Sequence, residues 1–169
     1  MNTVLDIVGR HEKVAFFGVK GEGETVTYHR MQGFTELSTS KNPKEYSRQY
    51  VDEEFERTDV VGYSTSISYN FDEVAGNPIH DEFVLIEEEE VVGANAIRDI
   101  LIVDLSKAGD TEGTFSATMR SFSVIPDASG DSTDAYTHSG TLRANGEKVF
   151  GTATTTDGWK TAVFTANEE

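Results

Sequence analysis

The sequence predicts a mainly β domain with one α-helix, an antiparallel two-sheet sandwich or barrel with the helix flanking one side. Three observations predict it. Residues 60–71 repeat with a period of two: Val61, Tyr63, Thr65, Ile67, Tyr69 and Phe71 alternate with Gly62, Ser64, Ser66, Ser68 and Asn70, giving one apolar and one small polar face. One stretch, about residues 78–91, has the caps and apolar spacing of a helix. From Ala96 onward, apolar or alternating runs are separated by turn signals, so that the whole chain holds about eight to ten short strands. No repeat of roughly 20–50 residues is present, which excludes a solenoid.

Composition narrows the function. At 169 residues the chain has the length of one ordinary domain, enough to bury about 70% of the surface of its unfolded form. Thirty acidic against 14 basic residues give a net charge of −16, which disfavours non-specific attraction to nucleic acid or an anionic membrane surface. The absence of cysteine excludes disulfides, thiolate metal sites and a cysteine nucleophile. The start MNTVLDIVGRHEKVAFFGVK lacks the basic-then-apolar pattern of a signal peptide, and no run approaches a membrane span, which points to synthesis in a cytoplasm.

In chain order, Val4, Leu5, Ile7 and Val8 form a short amphipathic piece ended by Gly9. Residues 14–19, VAFFGV, read as a core strand, and Gly18, Gly21 and Gly23 as the turn after it. That glycine-rich stretch lacks the Gly-Lys-Ser/Thr of a phosphate loop and runs into a strand, 25–31, so it is read as a turn. Phe34 to Thr39 alternates as another strand.

Residues 42–58 form a long arm. Lys41 to Asp59 holds ten charged residues together with Tyr46, Tyr50, Val51 and Phe55, more apolar bulk than a solvated loop needs. Two readings stand: a helix with Asn42 as N-cap, Pro43 first and Tyr46 stacked on Tyr50, or an arm extended around Tyr46, Arg48, Tyr50 and Asp52 that turns near Glu53 to Glu56. In the second, the aromatics become buried when another molecule arrives.

The flanking helix starts at Asn77 as N-cap with Pro78 behind it, and Ile79, Phe83 and Ile86 share its core face. Glu87 to Glu90 sit near its C-terminal end, where the helix dipole disfavours anions by a few tenths of a kcal/mol each; they serve as a solvated acidic face or as a seat for a cation or a basic patch. Ile97 to Leu105 reads as a central strand interrupted by Asp99 and Asp104, and Thr114 to Ile125 as an alternating strand ended by Pro126. The loop PDASGDSTD lacks calcium-loop spacing. Asn145-Gly146 is the strongest hairpin signal, joining 135–143 to 148–155, and Asp157-Gly158 turns into a last strand, 159–166.

Catalytic groupings are thin. His11, His29, His80 and His138 fall in four separate segments without metal-ligand spacing, and with this many serines and acids a triad or carboxylate pair arises by chance. The sequence therefore predicts no enzyme, no cofactor and no metal. A carbohydrate-binding β-sandwich would need exposed planar aromatics, for which Trp159 and scattered tyrosines are available.

The ordered segments SKNPKEYSRQYVDE, ERTDVVGYSTSISYNFD, NPIHD, IRDILIVDL, FSVIPDASGDSTDAYTHSGTLRANGEKVFGTAT and TAVFT resemble the major tail (tail tube) proteins of long-tailed phages of Gram-positive bacteria and of related tailocins, over about residues 34–164. The resemblance implies a single tail-tube domain spanning 1–169, hexameric rings stacked into a tube, DNA passing through the lumen, and a place in the virion tail after assembly in the host cytoplasm. It implies as partners the chain itself, a tape-measure protein, a tail terminator and a baseplate or distal tail protein. By position, the arm that reaches an adjoining subunit or ring falls on Asn42, Tyr46, Arg48, Tyr50, Asp52, Glu53 and Phe55. Some relatives carry an extra C-terminal immunoglobulin-like domain, and none is expected here. The inner tube of a contractile injection system shares the same architecture. An acidic lumen wall would repel DNA instead of gripping it, and Asp99, Asp104 and Glu147, acids set among strands, are the candidates to line it.

Overall fold

A computed structural model describes residues 6–168. Val4 and Leu5 of the expected amphipathic piece lie outside the described residues, and Ile7 is exposed with no regular element around it. The strands are β1 (Lys13–Lys20), β2 (Val26–Arg30), β3 (Phe34–Ser40), β4 (Pro43–Arg48), β5 (Arg57–Tyr63), β6 (Ser66–Asp72), β7 (Ile97–Ala108), β8 (Phe115–Ser129), β9 (Thr137–Ala144), β10 (Val149–Thr154) and β11 (Thr161–Ala166), with helix α1 at Pro78–Glu88. Nine strands form one antiparallel sheet in the order β10-β11-β2-β1-β7-β8-β9-β6-β3, and β4 pairs with β5 alone.

The long strand β8 gives this sheet its shape. Its first part pairs with β7 on one side and with β10 on the other, from Phe115↔Ala153 to Val149↔Met119, which closes β8, β10, β11, β2, β1 and β7 into a six-stranded barrel. Its second part, from Phe122 to Ser129, pairs with β9 and so carries β9, β6 and β3 outside the barrel. Because side chains alternate along a strand, β8 serves both layers: Phe115, Ala117 and Met119 pack with Phe16, Leu101 and Val103 inside the barrel, while Phe122 and Val124 join the core between the barrel and the outer strands. In β1, Phe16 belongs to the first core and Phe17 to the second, so both faces of this run are buried.

Helix α1 closes one end of the second core. The Asn77 side chain accepts from the Ile79 and His80 amides, Pro78 follows, and Ile79, His80, Phe83 and Ile86 are buried. Phe83 meets Phe17, Tyr69 and Phe71 at ring-centroid distances of 4.9, 4.7 and 5.5 Å. The helix ends at Glu88, short of the expected 91, and Glu90 turns the chain at φ 49°.

Several boundaries differ from expectation for identifiable reasons. Gly18 lies within β1 and not in the turn; a Cβ there would stand 2.8 Å from Val26 Cγ1 and 3.2 Å from the Asp99 carbonyl oxygen. A bulge between Phe34 and Glu36 breaks the alternation of β3, so Phe34 and Leu37 both pack against the core. Pro126 does not end β8, because a register shift between Pro126 and Ala128 accommodates the missing donor. Asn145-Gly146 makes no hairpin between its flanking strands: β9 pairs with β6 and β8, β10 with β8 and β11, and the chain crosses here from the outer layer into the barrel. Asp157-Gly158 does join paired strands, β10 and β11. The Asp157 carboxylate accepts from the Lys160 and Thr161 amides and the Thr161 hydroxyl, which holds its pKa down at about 2.

Candidate functional site: the projecting hairpin

The predicted strand 60–71 is two strands. It breaks at Ser64 and Thr65, where the Ser64 amide donates to the carbonyls of Lys41 and Asn42. Asn42, at φ 45°, donates its side-chain amide to the Ser64 carbonyl (3.0 Å) and the Ser66 hydroxyl (3.2 Å). Positive φ at a non-glycine residue is tolerated best by asparagine, and Asn42 thereby clamps the two roots of the hairpin together. The helical reading of 42–58, with Asn42 as N-cap, is replaced by β4, β5 and the connecting turn. The extended reading is the one found.

The apolar period of 60–71 continues across the break, but its environment changes. Thr65, Ile67, Tyr69 and Phe71 are buried in the body, whereas Val61 and Tyr63 on the same period are 63% and 61% exposed. With Tyr46, Tyr50, Val51, Phe55 and Val60 they make a cluster of exposed large apolar side chains on the hairpin. Isolated exposed apolar residues are ordinary; seven concentrated on one two-stranded element mark it as an interaction surface. Val61 and Tyr63 escaped the sequence reading because they continue a core period, and Val60 because it stands alone on the otherwise polar parity. The signal that could have separated them is length, since 12 consecutive strand residues are about twice the usual run.

Polar contacts stiffen the hairpin. Arg48 sits over the rings of Tyr46 and Tyr50, at 5.3 and 5.5 Å from their centroids, donates to the Tyr50 hydroxyl at 2.8 Å and pairs with Asp59 across the strands at 2.5 Å. Ser47 and Thr58 share a hydroxyl hydrogen bond of 2.8 Å. At the tip, the Glu53 amide donates to the Tyr50 carbonyl, and the Glu53 carboxylate takes both arms of the Arg57 guanidinium. Thus Tyr46, Arg48, Tyr50 and Glu53 form one connected set, Asn42 holds its root, and Asp52 and Phe55 are exposed on the tip without joining it.

The three acids proposed for a lumen wall stand in different surroundings. Asp99 and Asp104 lie on opposite faces of β7, by the parity of Leu101 and Ile102 respectively. Asp99 accepts from the Ser121 hydroxyl at 2.6 Å and, with burial the larger cause, helps push the Tyr28 hydroxyl up to about 12. Asp104 accepts from Ser106 and pairs with Lys13 at 3.5 Å; hydrogen bonding from Ser106 and the Lys13 charge hold its pKa low. Glu147 is not within a strand but exposed at the crossover between β9 and β10.

Two histidines that sequence reading kept apart meet across Phe71. His80 stacks on one side at 4.4 Å and His138 on the other at 5.0 Å. His80 Nδ1 accepts from the Val74 amide and Nε2–H donates to the Gln32 carbonyl, which fixes the neutral tautomer; burial pushes its pKa down. His138 contacts Glu87 at 2.7 Å and Glu73 at 2.8 Å. Burial opposes its charge, yet the hydrogen bonds it donates to the two carboxylates outweigh this and raise its pKa. Glu87 is therefore a clasp between α1 and β9, while Glu88, Glu89 and Glu90 are exposed. Among the described residues no group of three or more His, Cys, Asp or Glu is placed to hold a metal. Trp159, the planar aromatic a sugar module would present, packs instead on Phe16 and Phe115 at 6.0 and 5.6 Å at the barrel core.

No family model matches the chain, and no curated protein matches it. Among solved structures it is similar to a chain in the 6-fold symmetrised cryo-EM structure of the anti-feeding prophage (AFP) baseplate, with 10% identity over 89% of this chain and 97% of that one. The TM-score is 0.46, too low for the likeness to support an argument about fold or function.

Proposed function

We propose that the chain is a structural, non-catalytic subunit of a phage or tailocin tail tube, forming hexameric rings that stack around a lumen through which DNA passes. The observation that carries this reading is the hairpin: a two-stranded arm, internally stiffened, that presents at least seven large apolar side chains to solvent. Burying each such side chain is worth roughly 1.5–3 kcal/mol, and aromatics next to arginine are the usual anchors of interfaces. A second copy of the chain is the partner that the resemblance of residues 34–164 to tail-tube proteins supplies. The packing of Trp159, half-buried against Phe16 and Phe115, weighs against the carbohydrate-binding alternative.

The acidic composition fits a conduit that does not grip DNA. Of the three candidate acids, Glu147 is the exposed one without a hydrogen-bond or ion-pair partner among the described residues. Negative-stain microscopy of the purified chain at high concentration tests the proposal. Rings or tubes support it; persistent monomers, and above all monomers that bind glycans, overturn it.

A further inference from the structure

The core between the two layers is sealed by α1 at one end and open at the other. At the open end, Ala15 and Ile102 of the barrel face Leu37, Ile67 and Leu142 of the outer strands around a cavity of about 390 Å³. That size falls within the roughly 300–1,000 Å³ of pockets that seat organic groups. The rim is basic. Arg10 and Lys13 flank the cavity, and the cleft continuing from it is lined by His11 and Arg30. Arg10 donates to the carbonyls of Lys13 and Leu37, and among the described residues neither Arg10 nor Arg30 has a carboxylate within ion-pair distance.

The hairpin tip has the opposite character. Residues 51–56, VDEEFE, expose Val51 and Phe55 and carry Asp52, Glu54 and Glu56 in addition to the Glu53 already paired with Arg57. In a chain of net charge −16, an apolar cavity flanked by two arginines without carboxylate partners, beside a Lys13 already paired with Asp104, and an apolar tip carrying three unpaired acids are complementary in both respects. We infer that the groove between β1 and β3 is the receptor for the hairpin tip of a second copy, with Phe55 entering the apolar cavity and the flanking acids meeting Arg10 and Arg30. The inference rests on the hairpin being an assembly arm. Tip and groove are different surfaces of the same chain, so the contact is head-to-tail: it closes into a ring if the rotation closes and otherwise propagates as a filament.

Because the chain has no cysteine, single thiols report the contact. Copies carrying Glu54→Cys, which leaves Phe55 in place, are mixed with copies carrying Thr39→Cys at the groove, and mild oxidation follows. The mixture should give a disulfide-linked dimer roughly tenfold faster than Glu54→Cys mixed with Phe150→Cys on the barrel exterior, since a seated tip has a far higher effective concentration than a colliding one. Arg10→Glu with Arg30→Glu should abolish that preference, and Asp52→Lys with Glu56→Lys in the copy carrying Glu54→Cys should restore it. Tubes that form without preferential linkage to Thr39→Cys overturn the groove while leaving the tube reading intact. Linkage without rings or tubes supports the groove and overturns the tube reading. Linkage of Ile7→Cys to Thr39→Cys in place of the tip places the chain's own leading segment in the groove and overturns the inference.

Discussion

The body and the hairpin solve opposite problems with the same kinds of residue. In β6, Tyr69 and Phe71 are covered by α1 and the neighbouring strands, and each ring has aromatic neighbours on more than one side. In β4 and β5, Tyr46, Val61 and Tyr63 have a single partner strand and no second layer, and Tyr50 is exposed on the turn between them. A two-stranded ribbon is marginal in water, so the hairpin relies on polar cross-ties such as Arg48 with Asp59, where the body relies on apolar burial. The lesson is that one period of side chains acquires two functions according to whether a second layer covers it.

The sharpest test of this contrast is in the body. Phe83→Ala removes the ring that joins helix and sheet and should lower unfolding free energy by about 3–5 kcal/mol, read as a lowered urea midpoint. Asn77→Ala removes the helix cap and should cost about 1 kcal/mol in the same measurement. The Phe71 sandwich predicts pH dependence of both signs. His80, whose folded pKa is lowered, loses its contribution as pH falls below the ordinary value near 6.5 toward its folded pKa. His138, whose folded pKa is raised, contributes fully below 6.5 and loses its contribution as pH rises through the folded value. Melting midpoints across pH should therefore be highest near 6.5 and fall on both sides, with the alkaline fall removed in His138→Phe. The smallest expected change in the monomer is at the hairpin. Combined Tyr46→Ser, Tyr50→Ser and Phe55→Ser should shift the unfolding free energy by no more than about 1 kcal/mol, the scale of exposed arginine–ring contacts, yet abolish assembly in sedimentation. Global unfolding of that variant would mean that the two regions share one core.

Sequence patterns were most informative where a local rule and the tertiary fold agree. Asn77-Pro78 and the spacing of Ile79, Phe83 and Ile86 specify α1 by themselves, and Asp157-Gly158 specifies the β10–β11 connection. They misled where a local preference meets a long-range constraint. Asn145-Gly146 suits a tight hairpin, but the barrel draws β10 to β8, far back in the chain, and the same dipeptide becomes a crossover. The arm was legible through its surplus of aromatics, and its extent was not: nothing in the alternation of Val61 and Tyr63 records that the second layer ends at Thr65. Pairings such as His138 with Glu73 and Glu87 join residues 65 and 51 positions apart, a separation that no local pattern encodes.

The roots of the hairpin have a mechanical consequence. Traction on the arm enters the body through Ser40 and Ser66, the ends of adjacent antiparallel strands. Pulled along their length, these strands are loaded in shear, because ladder hydrogen bonds lie perpendicular to the strands. The six paired positions between β3 and β6 and the seven between β6 and β9 then share the strain together instead of parting one after another. A neighbour that grips the tip would thus pull on a broad area of sheet, and the weak point under tension would be the grip or the isolated β4–β5 ladder before the body.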